Sequence, residues 1–91
     1  MLAVSQLAER IIKEQEIVLG PLAWREAKKI KGLTVNGDGH VKLSGQGKKV
    51  VADLVKQYEK LFGPVSLDVC KEAAKSLLPD LSPEDVPEIL K

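Results

Sequence analysis

Two Gly-Pro pairs, Gly20-Pro21 and Gly63-Pro64, interrupt sequence that otherwise reads as amphipathic helix, and they constrain the fold more than any other feature of the chain. Glycine tolerates the positive φ found where a helix ends, and proline suits the first turn of a helix, where its fixed φ is already correct and its missing N–H would have no partner. Each pair therefore predicts a helix stop followed at once by a helix start. So short a connection leaves no slack, and the helices on either side must fold back as an antiparallel hairpin. The two breaks are 43 residues apart, and at that offset Leu7, Ala8, Ile11 and Ile12 fall on Val50, Val51, Leu54 and Val55. Lys13 then meets Lys56, Glu16 meets Glu59 and Lys28 meets Lys71. Two readings stay open: a duplicated unit, or the ordinary alignment of any two amphipathic helices once their breaks are matched.

Helical spacing of Leu7, Ala8, Ile11, Ile12, Val18 and Leu19 predicts a first helix from Val4 to near Leu19. Leu22, Ala23, Trp24, Ala27 and Ile30 predict a second that fades at Gly32. In the second unit Val50, Val51, Leu54, Val55, Tyr58, Leu61 and Phe62 form one stripe before the break. Val65, Leu67, Val69, Cys70, Ala73, Ala74, Leu77 and Leu78 continue after it. Between the units, Leu33, Val35, Val41 and Leu43 alternate with Thr34 and Lys42 around Asn36-Gly37-Asp38-Gly39, the signature of a β-hairpin. Two strands alone are marginal in water, so this hairpin must lean on helices or pair with another chain. Pro79 ends the fourth helix, and Ser82 is the expected N-cap of a short helix over Pro83 to Leu90. The fold class is thus α+β, mainly α, in a single small domain of residues 1–91.

Aromatic residues make up only 3% of the chain, so the core must be aliphatic and aromatic-lined sites are not expected. The one cysteine, Cys70, cannot form an internal disulfide, and the one histidine, His40, stands at no metal-ligand spacing. Charge at Glu9 and Arg10 interrupts the first apolar stretch, and no run approaches the roughly 18 apolar residues of a membrane span. A cytoplasmic protein with no membrane association is expected.

Motifs for chemistry are weak. Asn36-Gly37-Asp38-Gly39-His40 offers a single carboxylate and reads as turn chemistry rather than a calcium loop. Ser44-Gly45-Gln46-Gly47-Lys48-Lys49 lacks the spacing of a nucleotide-binding loop and reads as a flexible entry into a helix. Cys70 lies on an apolar stripe, where a buried inert thiol is the default, and Glu9, Glu16 and Glu59 lie on charged helix faces. No catalytic residue, metal or cofactor is assigned, and the chain is not expected to be an enzyme.

Charge is distributed unevenly although the net is only +1. Arg25, Lys28, Lys29, Lys31, Lys42, Lys48 and Lys49 make the middle basic, whereas Asp80, Glu84, Asp85 and Glu88 make the tail acidic. The asymmetry suggests an anionic partner for the middle, or docking of the tail on it, within one chain or between two. Trp24, next to Arg25, is either a core residue or an interface anchor. Residues 54–78, through Gly63, Pro64, Val65 and Ser66, resemble the Gly-Pro-containing helical segment in C-terminal regions of bacterial multidomain signalling proteins. That resemblance implies an accessory regulatory or interaction role in a prokaryotic cytosol. The expectation is a non-catalytic protein-interaction or regulatory module that self-associates. The alternative is a nucleic-acid-binding protein that uses the basic face of residues 25–49.

Overall fold

The first apolar stripe forms α1, Val4–Leu19, with Leu7, Ala8, Ile11, Ile12 and Gln15 buried along one side. The computed structural model describes residues 3–91. Ala3 has no side-chain oxygen to cap this helix; instead its N–H donates to Gln6 Oε1 at 2.8 Å, half of a capping box. At the other end the Gly20 N–H donates to the Glu16 carbonyl at 2.8 Å, and the Gly20 carbonyl accepts from Ala23 N–H at 3.1 Å. One glycine ends one helix and opens the next, α2, Leu22–Ala27.

The second break repeats this arrangement. Helix α3, Gly47–Phe62, ends at Gly63, whose N–H donates to the Glu59 carbonyl at 2.8 Å and whose carbonyl accepts from Ser66 N–H at 3.0 Å in α4, Pro64–Lys75. Both glycines have positive φ, +65° and +85°, as expected, but ψ is −150° and −174°, extended rather than left-handed helical. The reason is the double role: a residue that opens a helix needs an extended ψ for its carbonyl to accept the first helical bond. Positive φ with extended ψ is essentially a glycine-only combination. The helices before the breaks, α1 and α3, are each 16 residues long, but α2 has six residues and α4 twelve, so the likeness of the two units stops at the turns.

Helix α2 stops well before Gly32, earlier than its apolar pattern suggests. Tight bonds from Lys29 N–H to the Glu26 carbonyl and from Ile30 N–H to the Ala27 carbonyl turn the chain so that Ile30 is buried and Leu33 can start a strand. Gly32, at φ +89°, permits the tight passage: a Cβ there would lie 2.9 Å from Val50 Cγ2 and 3.0 Å from the Ser44 carbonyl oxygen. Strands β1, Leu33–Val35, and β2, Val41–Leu43, pair antiparallel with Leu33 opposite Leu43 and Val35 opposite Val41. Leu33 and Val41 are buried, while Thr34 and Lys42 face solvent. The hairpin leans on α1, where the Glu9 carboxylate accepts from Val41 N–H at 3.1 Å and meets His40 Nδ1 at 3.2 Å.

Val4 of α1 sits against Gly47, the first residue of α3, so these two helices start at the same end. Gln15, late in α1, meets Ser66 and Cys70, early in α4, so α4 runs back antiparallel to α1. Both Gly-Pro turns consequently lie at one end of the molecule. The core between them is aliphatic, with Tyr58 the largest fully buried side chain, its hydroxyl donating to the Ala23 carbonyl at 2.7 Å.

The tail departs from expectation. After a 3-10 turn at Leu78–Asp80, two further single 3-10 turns, Pro83–Asp85 and Glu88–Leu90, stand in place of a helix over Pro83 to Leu90. Pro87 supplies no N–H and forces Val86 into an extended conformation, φ −99° and ψ 118°, which divides the segment. Ser82 does stand at the N-cap of the Pro83–Asp85 turn, its carbonyl accepting from Asp85 N–H at 2.9 Å, but its side chain makes no cap; its hydroxyl donates to Glu84 Oε1 at 3.0 Å. Leu81, Val86 and Leu90 are buried, and the last two turns dock on α3. The tail therefore does reach the basic middle, through apolar side chains: among the described residues none of Asp80, Glu84, Asp85 or Glu88 pairs with a lysine of that region.

Candidate interaction surface

Helix α1 ends on three consecutive apolar residues, Ile17, Val18 and Leu19, and a single helical stripe cannot turn all three inward. Leu19 packs on the core, whereas Ile17 is 79% exposed and Val18 62% exposed. Across the antiparallel seam, Val65 in the first turn of α4 is 67% exposed. Ile17, Val18, Val65 and Val69 line one open depression of about 340 Å³ on the flank of α1 and α4, beside the Gly-Pro turns. Its remaining lining residues are Glu14, Asp68 and Glu72, all acidic. Leu61, 48% exposed, lies in the last turn of α3 at the same end of the molecule.

Within the seam itself, Gln15 is fully buried and its Nε2 donates to the Ser66 carbonyl at 2.9 Å and to Cys70 Sγ at 3.2 Å. Its Oε1 has no hydrogen-bond partner among the described residues. Burial pushes the Cys70 thiol up to about 11, so at neutral pH it is protonated and a poor nucleophile. A second polar cluster joins α2 to α3: Glu26, 4% exposed, accepts from Gln57 Nε2 at 2.9 Å and from Lys29 Nζ at 3.0 Å. The Gln57 hydrogen bond, then that of Lys29, holds the Glu26 carboxyl below its ordinary range. Burial raises the Tyr58 hydroxyl, keeping it a neutral donor. These groups are structural ties between helices.

The basic residues picked out in the sequence are not one constellation. Lys31 and Lys49 line a cleft of about 400 Å³ with Gly32, Ser44, Gly45, Gln46, Val50 and Asp53 at the start of α3. Lys48 and Lys49 also line a second depression with Lys56 and the tail residues Pro87 to Ile89. Lys49 is paired with Asp53 at 3.0 Å and Lys29 with Glu26. Arg25, Lys28 and Lys42 are exposed and line neither cleft, and Trp24 is half-buried against the core. Asp38 behaves as turn chemistry, its Oδ1 accepting from His40 N–H at 3.1 Å. Among the described residues no group of three or more His, Cys, Asp or Glu side chains is arranged to hold a metal ion. No helix among them is long and apolar enough to cross a membrane.

Sequence reasoning missed the exposed patch and the buried carboxylate alike. Nothing in the basic run around it singles out Glu26, and Val18 and Val65 read as ordinary stripe positions. The one signal for the patch was the unbroken Ile17-Val18-Leu19 run, too wide for the inward face of a helix. Comparison with protein-family models, with curated proteins and with solved structures returns no match.

Proposed function

We propose that this chain is a non-catalytic protein-interaction or regulatory module of a prokaryotic cytosol, which docks a partner through the α1/α4 depression at its Gly-Pro end. The observation that carries the reading is the gathering of Ile17, Val18 and Val65, each more than 60% exposed, around one depression of a domain this small, which has few aliphatic side chains to spare from its core. Contiguous exposed apolar surface of this kind marks interaction sites. The resemblance of residues 54–78 to a helical segment of signalling proteins supports a regulatory role and includes Val65 itself.

Self-association through this face is the weaker form of the proposal. A two-fold dimer would bring Glu14, Asp68 and Glu72 of one copy close to the same carboxylates of the other. A photo-reactive phenylalanine analogue installed in cells at Val65, and separately at Lys42 on the outer hairpin face, tests the docking reading. Protein adducts from position 65 but not from position 42 are expected; adducts from 42 with position 65 silent contradict it.

Nucleic-acid binding is the second reading, favoured by Lys31, Lys48 and Lys49 around the first turn of α3, with Lys56 further along the helix. Phosphate contacts release counterions, so that reading requires binding of mixed-sequence DNA or RNA that persists at physiological salt and falls in a Lys31→Ala/Lys48→Ala variant. Binding confined to low salt rules it out.

A further inference from the structure

The depression that the docking reading uses also carries information about what docks there. Every charged residue lining it is acidic: Glu14, Asp68 and Glu72. The net charge of the chain is +1, so this local charge is opposite in sign to the whole and does not follow from composition. Arg10 approaches Glu14 at 3.8 Å, both side chains being well exposed, while Asp68 and Glu72 take part in no ion pair among the described residues. The walls are two antiparallel helices whose backbone groups are already hydrogen-bonded, so neither offers an edge to which a strand could add. A third helix, in contrast, can lay an apolar stripe over Val18, Val65 and Val69 along the α1/α4 groove.

Resting on the docking reading, we infer that the occupant is an amphipathic helix of another protein, with an apolar stripe flanked by lysines or arginines that meet Glu14, Asp68 and Glu72. The same carboxylates disfavour two other occupants. A second copy of this face would oppose like charges, and the anionic surface of a cytoplasmic membrane leaflet would repel them.

Two dye-labelled synthetic helical peptides with one leucine stripe, flanked in one case by lysines and in the other by glutamates, provide the probe. Fluorescence anisotropy with the full chain is expected to show the lysine peptide binding about ten-fold tighter at low salt, the size of a few exposed ion pairs. The advantage is expected to shrink at about 150 mM salt, where exposed charges are screened. An Asp68→Lys/Glu72→Lys variant is expected to reverse the preference, and Val65→Ser to weaken both peptides. Should Val65→Ser disturb α4, Val18→Ser on the opposite wall serves the same purpose. If both peptides bind equally, or the glutamate peptide binds tighter, yet both are weakened by Val65→Ser, the basic-partner inference is overturned and the docking reading stands. If neither peptide binds in a way that depends on Val65 or Val18, both fall. A concentration-dependent dimer in sedimentation velocity that Val65→Ser abolishes identifies the occupant as a second copy and overturns the inference.

Discussion

Glu26 shows what a single residue contributes that no local pattern announces. It sits in a basic run, yet its carboxylate is buried at the α2/α3 contact and takes hydrogen bonds from Gln57, 31 residues away, and from Lys29. Because its folded-state pKa is lowered, its contribution to stability is complete above the ordinary carboxylate value of 4.5 and is lost as pH falls through the lower folded value. Glu26→Gln removes that ionisation. The stability gap between wild type and Glu26→Gln, from urea titrations, is expected to hold above the ordinary value of 4.5 and to close as pH falls below it and the wild-type carboxylate protonates. A gap that stays constant through that fall would show that ionisation of Glu26 does not stabilise the fold. Cys70 was legible at this scale, since a lone cysteine on an apolar stripe is buried by default, and it is. Gln15 was not, because its partners Ser66 and Cys70 are 51 and 55 positions away and a period cannot identify them.

Among the elements, the Gly-Pro turns were the most legible and the tail the least. Both breaks fall where the sequence sets them, because glycine and proline act through backbone geometry that neighbours cannot override. At both breaks ψ is extended rather than left-handed helical, since one residue serves two helices at once. Gly20 and Gly63 have open space where a Cβ would go, so substitution there tests backbone strain with no steric contribution. Gly20→Ala and Gly63→Ala are each expected to lower unfolding free energy by about 1–3 kcal/mol, the cost of a side chain in a glycine-only region. Gly37 also has open space, but its φ is not positive, and Gly37→Ala is expected to change stability by less than about 0.5 kcal/mol. Equal small effects at all three positions in thermal or urea unfolding would mean that the turns are not held by glycine geometry. The tail eluded the sequence because Ser82 and Pro83 signal a helix start, whereas Pro87 cuts the segment before a full turn of α-helix can form.

At the scale of the whole molecule the chain is polarised. Lys31, Lys48 and Lys49 gather around the start of α3, and both Gly-Pro turns, with the acid-edged apolar depression, lie at the other end. Composition correctly predicted an aliphatic core, and periodicity correctly predicted the four helices and the hairpin. Neither separates a stripe residue that meets the core from one left over at its margin, because that depends on how far α1 and α4 overlap beyond the Gly-Pro turns. Val18 and Val65 are such residues, and docking at the α1/α4 depression rests on them. Methyl-resolved NMR of the full chain during titration with the lysine-flanked peptide tests it most directly. Saturable shifts are expected at the methyl groups of Ile17, Val18, Val65 and Val69, with Val50 and Leu43 near the basic end unmoved. Shifts centred on Val50 and Leu43, or none at the α1/α4 methyl groups, would contradict it.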